Sequence, residues 1–420
     1  MDRADAGAAL TVYVVGAGLA GLSAALALTQ KGVPVEIIEA SGQAGGRCRS
    51  YHDAVLDMTL DNGNHLVLSG NQATFDYLRV IGAEDRLVGP EHATLDFYDL
   101  ATSKAWTIRP NAGALAWWIF DAARRVPGTK SADYLAVAKL MLPGADRRID
   151  ALIACKGALW DRLLEPFLLA ALNTEANSGS SALAGSVIRQ SLARGGRAYR
   201  SRIAHPTLSA AFVDPALAYM AARGVRVRFG EPVKGVRFDD DRVAGLVVAD
   251  REIALNGADC VVLATPPWIS RDLIPDLDAP DAFNAIVNAH FQFAPPAGLA
   301  PIVGVIGGAA QWIFAFADRL SVTVSGADDL VDQDRDSLAR RFWSDIAAVH
   351  GLPPDPLPPY RIIKERRATF AATPEQNARR PGAKTRWRNL ALAGDWTATG
   401  LPATIEGAIR SGNAAAAVLG

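Results

Sequence analysis

Residues 11–40 read TVYVVGAGLAGLSAALALTQKGVPVEIIEA, and this stretch decides the fold. A β-branched, apolar run leads into Gly16, Gly18 and Gly21, an alanine-rich segment predicts a helix, and VEIIE predicts a second strand. In this order the glycines permit a tight turn, close approach of the backbone to a pyrophosphate, and close packing of helix on strand. The stretch therefore predicts a dinucleotide-binding βαβ unit.

The residues that follow indicate which dinucleotide is bound. Glu39 ends the second predicted strand, where a carboxylate can accept hydrogen bonds from ribose hydroxyls. Residues 41–50, SGQAGGRCRS, then supply a second glycine pair and Arg47, which offer more N–H groups and a guanidinium to the same pyrophosphate. Glu39, Gly46 and Arg47 together favour FAD. The predicted fold class is α/β, with a Rossmann-like FAD-binding domain.

The motifs of residues 12–50, in this order, resemble the flavoprotein superfamily of amine oxidases and phytoene desaturases. That resemblance implies that residues 393–412, AGDWTATGLPATIEGAIRSG, return to the nucleotide site. It further implies that Gly394, Asp395 and Ile405 contact the cofactor. The positive end of the last helix dipole would then face flavin ring atoms that become negative on reduction.

A third cofactor segment is implied in the middle of the chain. Residues 225–238 and 242–267 alternate apolar and polar side chains and by themselves predict a β-meander. By the same resemblance, the backbone of Val233 reaches the adenine.

These three segments predict a discontinuous organisation. Residues 1–70, 205–270 and 360–420 form the FAD-binding domain, of the glutathione-reductase and amine-oxidase type. Residues 71–204 and 271–359 form a substrate-binding domain, largely helical with some β-sheet.

Composition excludes several classes of function. The 420 residues are half apolar, which is enough for two domains. With 43 basic and 44 acidic residues, the net charge of -1 gives no electrostatic case for nucleic acid. Cys48, Cys155 and Cys260 lack C-x-x-C spacing, which indicates neither a disulfide framework nor a metal site and favours a reducing cytosol. No oligomeric state is predicted.

A narrower resemblance comes from several stretches. LDNGNHLVL (residues 60–68) looks like a strand that enters the flavin site. Together with residues 311–328, 364–376 and 394–412 it resembles the hydroxysqualene dehydroxylase family, flavoenzymes of squalene and hopanoid biosynthesis. The resemblance would place glutamine at position 64, where the chain has another amide, Asn64. It implies that an allylic polyisoprenoid alcohol loses water to form a delocalised cation, to which reduced FAD delivers a hydride.

His65 and Asp61 are the candidate proton donors for the departing hydroxyl group. Histidine titrates near neutral pH, and an aspartate can do so when burial raises its pKa. Each also has a structural interpretation, since Asp61 can hold a turn and His65 can hydrogen-bond the backbone or the flavin.

An aromatic and basic stretch leaves two interpretations open. ALAWWIFDAARRV, residues 114–126, predicts a helix. The relevant side chains of this region are Trp106, Trp117, Trp118, Phe120, Arg124, Arg125 and Lys130. They suit either an interfacial membrane helix or the lining of a substrate tunnel. We expect a cytoplasmic protein with peripheral contact to the inner face of the membrane.

Three other functions remain open at this stage. A flavin amine oxidase shares the scaffold, but an aromatic residue usually precedes the flavin-contacting helix residue, and here Thr404 precedes Ile405. A phytoene-type desaturase is nearer in chemistry. A non-catalytic prenyl-binding protein of the GDP-dissociation-inhibitor type is the third, against which the full set of cofactor-binding residues argues.

Overall fold

Residues 10–420, which the computed structural model describes, form twenty strands and ten α-helices. The strands are β1 (Val12–Val15), β2 (Val35–Ile38), β3 (Ser50–Asp53), β4 (Met58–Asp61), β5 (Leu66–Leu68), β6 (Leu87–Val88), β7 (Leu95–Asp99), β8 (Lys104–Ile108), β9 (Ser201–Ala204), β10 (Arg226–Arg228), β11 (Val233–Asp239), β12 (Arg242–Val248), β13 (Arg251–Ala254), β14 (Cys260–Leu263), β15 (Phe283–Gln292), β16 (Ile302–Ile306), β17 (Trp312–Ala315), β18 (Arg319–Ser325), β19 (Tyr360–Phe370) and β20 (Leu390–Leu392). The helices are α1 (Leu19–Gln30), α2 (Gln72–Ile81), α3 (Leu135–Met141), α4 (Glu165–Leu172), α5 (Ser181–Gln190), α6 (Asp214–Ala221), α7 (Pro267–Leu273), α8 (Arg335–His350), α9 (Pro374–Ala378) and α10 (Ile405–Leu419).

A five-stranded parallel sheet of order β10-β2-β1-β14-β20 carries the nucleotide fold. Its inner strands are nearly continuous apolar runs, as expected of a parallel sheet covered on both faces. Helices α1 and α10 pack against each other, and Gly412 makes this contact close: a Cβ atom there would lie 2.2 Å from the carbonyl oxygen of Ala20. The first and last helices of the described chain thus share one core.

A seven-stranded mixed sheet of order β19-β15-β18-β17-β16-β7-β8 forms the second large unit. One face packs against α8 through Leu338, Phe342 and Ile346. The other face joins the core of the helical segment that includes α4 and α5. Smaller sheets are the β11-β12-β13 meander, the β3-β4 hairpin and the β5-β9-β6 group.

Two segment boundaries differ from the prediction. We assigned residues 360–420 to the FAD-binding domain, but β19 is an edge strand of the seven-stranded sheet, paired with β15. The chain therefore turns toward the parallel sheet only after Phe370. We assigned residues from 71 onward to the substrate domain, but Tyr77, Leu78 and Ile81 of α2 pack in the core that contains α1 and α10.

The predicted helix over residues 114–126 is wrong. Only Trp117–Phe120 form a helical turn, of the 3-10 type. The side chain of Asn111 donates to the carbonyl oxygen of Leu115 and accepts from the N–H of Trp118, so the backbone groups that would begin an α-helix are already engaged.

Candidate active site

The first glycine turn has the geometry that the motif predicts. Gly16 has φ +105, and a Cβ there would lie 2.7 Å from the carbonyl oxygen of Ala264. At Gly21 a Cβ would lie 1.9 Å from the carbonyl oxygen of Gly16, so only glycine allows α1 to pack this closely. Gly18 is the N-cap of α1, and a Cβ there would meet nothing within 4 Å. The helix N-terminus is therefore open to an approaching anion.

The second glycine loop lies directly on the first. Gly45 and Gly46 have φ +104 and +56, and the N–H of Gly45 donates to the carbonyl oxygen of Ala17 at 2.8 Å. A Cβ at Gly46 would lie 3.3 Å from the Cα of Gly18. We call the two loops together the glycine cradle, which consists of Gly16, Gly18, Gly21, Gly45 and Gly46.

Glu39 borders the cradle at the carboxyl end of β2. One carboxylate oxygen accepts from the N–H of Ala17 at 2.6 Å, and the other accepts from the N–H and hydroxyl of Ser41 at 2.8 and 2.9 Å. The N–H of Glu231 donates to the carbonyl oxygen of Glu39 at 3.0 Å, and Val233 follows two residues later at the start of β11. The predicted ribose and adenine residues therefore lie at the same end of β2.

Arg47 connects the second loop to the C-terminal segment. Its Nη2 donates to Oδ1 of Asp395 at 2.7 Å, and its Nη1 donates to the carbonyl oxygen of Ala368. The side chain of Arg47 is 42% exposed, whereas that of Asp395 is 8% exposed. The guanidinium has five N–H groups, so it can fix Asp395 and still donate to a phosphate.

The Gly394-Asp395 turn is held on all sides. Gly394 has φ +154, a Cβ there would lie 2.2 Å from Nε1 of Trp396, and its N–H donates to the hydroxyl of Ser411 on α10 at 2.8 Å. Buried Arg380 donates to the carbonyl oxygens of Asp395 and Trp396 at 3.1 and 3.3 Å.

Helix α10 begins beside this turn. Thr404 is its N-cap and accepts from the N–H of Gly407 at 3.0 Å, and Ile405 is the first helical residue. Glu406 is buried, and its carboxylate accepts from the N–H of Thr74 at 2.9 Å and from Arg410 at 2.8 Å. The first turn of α10 is therefore locked to the start of α2.

The sequence prediction missed the residues that support this arrangement. Glu406 lies within the C-terminal stretch, but its partner Thr74 is distant in the sequence, and Arg380 donates to carbonyl groups that no sequence pattern predicts. The local signals were the threonine before α10, a good N-cap residue, and the spacing of Glu406 and Arg410, four residues apart on α10.

Asp61 is buried and is contacted by three polar groups. Its Oδ1 accepts from the hydroxyl of Ser50 at 2.6 Å and the N–H of Leu208 at 2.9 Å, and Arg319 lies 3.8 Å from Oδ2. Burial raises the pKa of Asp61, while these three partners lower it. Buried His290 on β15 also approaches the backbone oxygen of Asp61 at 3.2 Å.

His65 lies beside Arg47, between Asp61 and β5. Burial and the positive charge of Arg47 lower the pKa of His65 to about 4. Near neutral pH the imidazole is therefore uncharged in the protein without bound cofactor.

A row of residues crosses the seven-stranded sheet. It starts beside the loop of residues 62–65, where Asn64 contacts Thr323. The residues pair directly from strand to strand, and so they share one face: Asn288, Thr323, Trp312, Gly304, Phe97 and Trp106. A Cβ at Gly304 would lie 2.6 Å from the ring of Phe97, so glycine lets the rings approach. Phe97 lies 5.7 Å from Trp312 and 5.6 Å from Trp106, centroid to centroid. We call these three rings the aromatic row.

The tryptophans and phenylalanine of the predicted membrane or tunnel stretch divide into two groups. Trp118 is buried against Tyr134, and Trp106 belongs to the aromatic row. Trp117 and Phe120 are each 65% exposed. Leu115, Leu135 and Leu142 of the same segment are each 68% exposed, and we call these five side chains the exposed apolar patch. Among residues 10–420, no helix is long and apolar enough to cross a membrane.

The residues of the cradle fit FAD. An open helix N-terminus, a second set of loop N–H groups and an arginine suit a pyrophosphate, and Glu39 suits a ribose. The start of α10, beside the Gly394-Asp395 turn, suits a flavin ring. The protein is an FAD-dependent oxidoreductase.

Residues 19–419 match the family model described as flavin containing amine oxidoreductase, and the chain belongs to this family. It is 51% identical to the hydroxysqualene dehydroxylase of Rhodopseudomonas palustris over 97% of both chains. It is 24% identical to a 15-cis-phytoene desaturase of an Oncidium hybrid cultivar, over 96% of this chain and 76% of the relative. The structure of cyclohexylamine oxidase from Brevibacterium oxydans shares the fold, with a TM-score of 0.72, 16% identity, and coverage of 98% of this chain and 99% of that one.

Proposed function

We propose that the protein removes the hydroxyl group of hydroxysqualene reductively and releases squalene. The observation that carries this proposal is the similarity to a hydroxysqualene dehydroxylase along almost the entire chain. The desaturase and amine oxidase alternatives rest on much lower identity.

The site residues indicate how the protein would hold FAD. When bound and reduced, FAD supplies the hydride that replaces the hydroxyl group. The glycine cradle and Arg47 would hold the pyrophosphate, Glu39 the ribose, and the backbone of Val233 the adenine. The N-terminus of α10, at Ile405, would stabilise negative charge on the flavin ring through its free N–H groups and dipole.

The aromatic row offers a surface for the hydrocarbon. Phe97 and Trp312 are almost fully buried, so the row lies in a part of the sheet from which water is excluded. A ring face attracts a cation within about 6 Å of its centroid, and this attraction strengthens when the pair is desolvated. We therefore assign the row two roles, as a floor for the polyisoprenoid and as a stabiliser of the allylic cation.

For the proton we favour His65 over Asp61. Oδ1 of Asp61 already accepts two hydrogen bonds, and Oδ2 faces the charge of Arg319 at 3.8 Å, which suits a clamp better than an acid. His65 is held neutral partly by the charge of Arg47. A pyrophosphate beside Arg47 would offset that charge, so cofactor binding should raise the pKa of His65 toward the range where an imidazolium donates a proton.

We further propose that the exposed apolar patch contacts the inner face of the membrane, where a polyisoprenoid dissolves. Lys130 and Lys139 of the same segment are exposed and suit anionic headgroups. Arg125, in contrast, is engaged with the carbonyl oxygens of Ile119 and Thr129 and serves the local fold. The protein would then act as a peripheral, cytoplasmic enzyme.

An anaerobic single turnover tests the proposed reaction. Reduced holoenzyme is mixed with hydroxysqualene, flavin reoxidation is followed by absorbance, and the products are extracted. We expect reoxidation with formation of squalene. If reduced enzyme stays reduced, and a polyisoprene or an amine instead reduces the oxidised enzyme, the protein is a desaturase or an amine oxidase.

A further inference from the structure

We infer that Asn64 accepts a hydrogen bond from the hydroxyl group of the substrate, in an alcohol-binding subsite that Thr323 and Asn288 orient. The inference rests on the proposed function for the identity of the alcohol. It concerns three residues to which the sequence motifs assign no role in catalysis or cofactor binding.

A chain of hydrogen bonds fixes the direction of the Asn64 amide. Nδ2 of Asn64 lies 3.0 Å from the hydroxyl oxygen of Thr323 and 3.5 Å from the carbonyl oxygen of Val322. A carbonyl oxygen can only accept, so the amide nitrogen faces the sheet. The hydroxyl of Thr323 in turn donates its one proton to Oδ1 of Asn288 at 2.8 Å. This series of hydrogen bonds therefore ends at Oδ1 of Asn64, which faces away from β18.

That terminal acceptor is buried and has no partner. Oδ1 of Asn64 makes no hydrogen bond within the described residues 10–420. The neighbouring polar side chains on β15 and β18, His290 and Ser321, do have partners. His290 lies 2.8 Å from the hydroxyl of Ser321 and 3.2 Å from the backbone oxygen of Asp61. Buried acceptors are almost always paired in folded proteins, so this one calls for a partner.

The surroundings select the kind of partner. Trp312 pairs directly with Thr323 across β17 and β18, so the polar chain stands beside the first ring of the aromatic row. A hydroxyl carried on a hydrocarbon satisfies both features at once: its O–H donates to Asn64 while its carbon chain covers the rings. The hydroxyl oxygen keeps its lone pairs free, and it can still accept the proton that makes it leave as water.

This subsite also separates substrate from product. Squalene has no hydroxyl group and leaves Oδ1 of Asn64 unpaired. A site built to hydrogen-bond a hydroxyl discriminates against the analogue that lacks it, because a buried polar atom is then left unsatisfied. Loss of the hydroxyl should therefore weaken binding and favour release of the product.

Ligand binding to oxidised holoenzyme tests the inference without turnover. Hydroxysqualene and squalene are titrated in detergent, and flavin absorbance changes report each Kd. We expect Asn64→Ala to weaken hydroxysqualene binding about tenfold and to leave squalene binding nearly unchanged, the effect of one lost hydrogen bond. Thr323→Val should give a smaller loss of the same kind, because the amide loses its orientation.

A matched substitution controls for damage to the sheet. The hydroxyl of Thr369, in the same sheet, accepts from Nδ2 of Asn173 at 2.9 Å, and Thr369→Val should leave both affinities unchanged. An equal loss for both ligands in Asn64→Ala, or no loss for either, overturns the subsite. Failure of the wild-type protein to form squalene would instead overturn the proposed function. The two failures are therefore distinguishable.

Discussion

The glycine cradle and the aromatic row differ in how their polar atoms are satisfied. Around the cradle, Glu39, Arg47 and Asp395 are all paired with protein atoms. Along the row, Nε1 of Trp106 and Nε1 of Trp312 are buried without a hydrogen-bond partner among the described residues. The cradle is therefore held in shape by the protein itself, whereas the aromatic row has hydrogen-bonding capacity left over. The cradle thus has paired polar side chains around it, and the aromatic row has indole N–H groups that remain able to donate.

The largest expected effect lies in the cradle. Gly21→Ala would place a Cβ 1.9 Å from a backbone oxygen that cannot move away. We expect at least about 3 kcal/mol of destabilisation and loss of the yellow colour. Thermal unfolding and flavin content measure both.

Gly18→Ala is the matched partner, because nothing lies within 4 Å of its added Cβ. The apoprotein should keep its stability to within about 1 kcal/mol, while FAD affinity falls about tenfold. A Gly18→Ala protein that binds FAD normally would contradict the assignment of the cradle to the pyrophosphate.

The next effect concerns pH and the buried histidines. Burial lowers the pKa of His290 to about 3 and, with the charge of Arg47, that of His65 to about 4, from an ordinary value of 6.5. Between pH 6.5 and these values only the unfolded chain binds the protons. Stability should therefore fall as pH falls through this range, by about 1.4 kcal/mol per pH unit for each group.

Urea unfolding of the apoprotein at several pH values measures this slope. His290→Gln should remove one group's share, and His52→Gln, at an exposed position, serves as the control. An unchanged slope in His290→Gln would mean that this histidine does not resist protonation. In holoenzyme the share of His65 should shrink, if phosphates offset Arg47.

A smaller effect is expected at the Arg47–Asp395 pair. Arg47→Met leaves buried Asp395 without its counter-charge, but solvent reaches the arginine, so we expect a loss of about 1–2 kcal/mol in the apoprotein. Arg47→Met combined with Asp395→Asn should cost less than the sum of the single changes. If Arg47 serves only the cofactor, apoprotein stability will not change at all.

The smallest effect on stability is expected at the exposed apolar patch. Trp117→Ser with Phe120→Ser should leave unfolding within about 0.5 kcal/mol of the wild type, because both side chains are largely exposed. Sedimentation with anionic vesicles should fall about tenfold, since apolar burial in the interface is lost. Val55→Ser, also exposed but outside the patch, is the control. Undiminished sedimentation would exclude the patch as the membrane contact.

The two regions also differed in how well the sequence predicted them. Gly16, Gly18 and Gly21 could be assigned separate tasks because each task depends on a local backbone requirement that only glycine meets. Residues 114–126 misled us, because their helical spacing of apolar residues was outweighed by the side chain of Asn111. Whether His65 or Asp61 can donate a proton depends on burial and on charges from distant parts of the chain. The spacing of residues in the sequence does not encode these quantities.

The aromatic row shows the same limit at longer range. Trp312, Phe97 and Trp106 come from three strands, and only the pairing of β17, β16, β7 and β8 brings them into line. Asn64 was noticed as an amide in place of another amide. Its proposed role depends on the contact of its nitrogen with Thr323 and on an oxygen without a partner among residues 10–420, and neither is visible in the sequence.

The parallel sheet has a consequence for biosynthesis. Its central strand β1 and helix α1 precede every strand of the seven-stranded sheet in the chain, whereas its edge strand β20 and helix α10, which packs on α1, follow all of them. During synthesis the nucleotide site therefore stays incomplete, with α1 lacking its partner helix, until α10 has been made. Tight capture of FAD should accordingly wait until α10 has been made and has packed on α1.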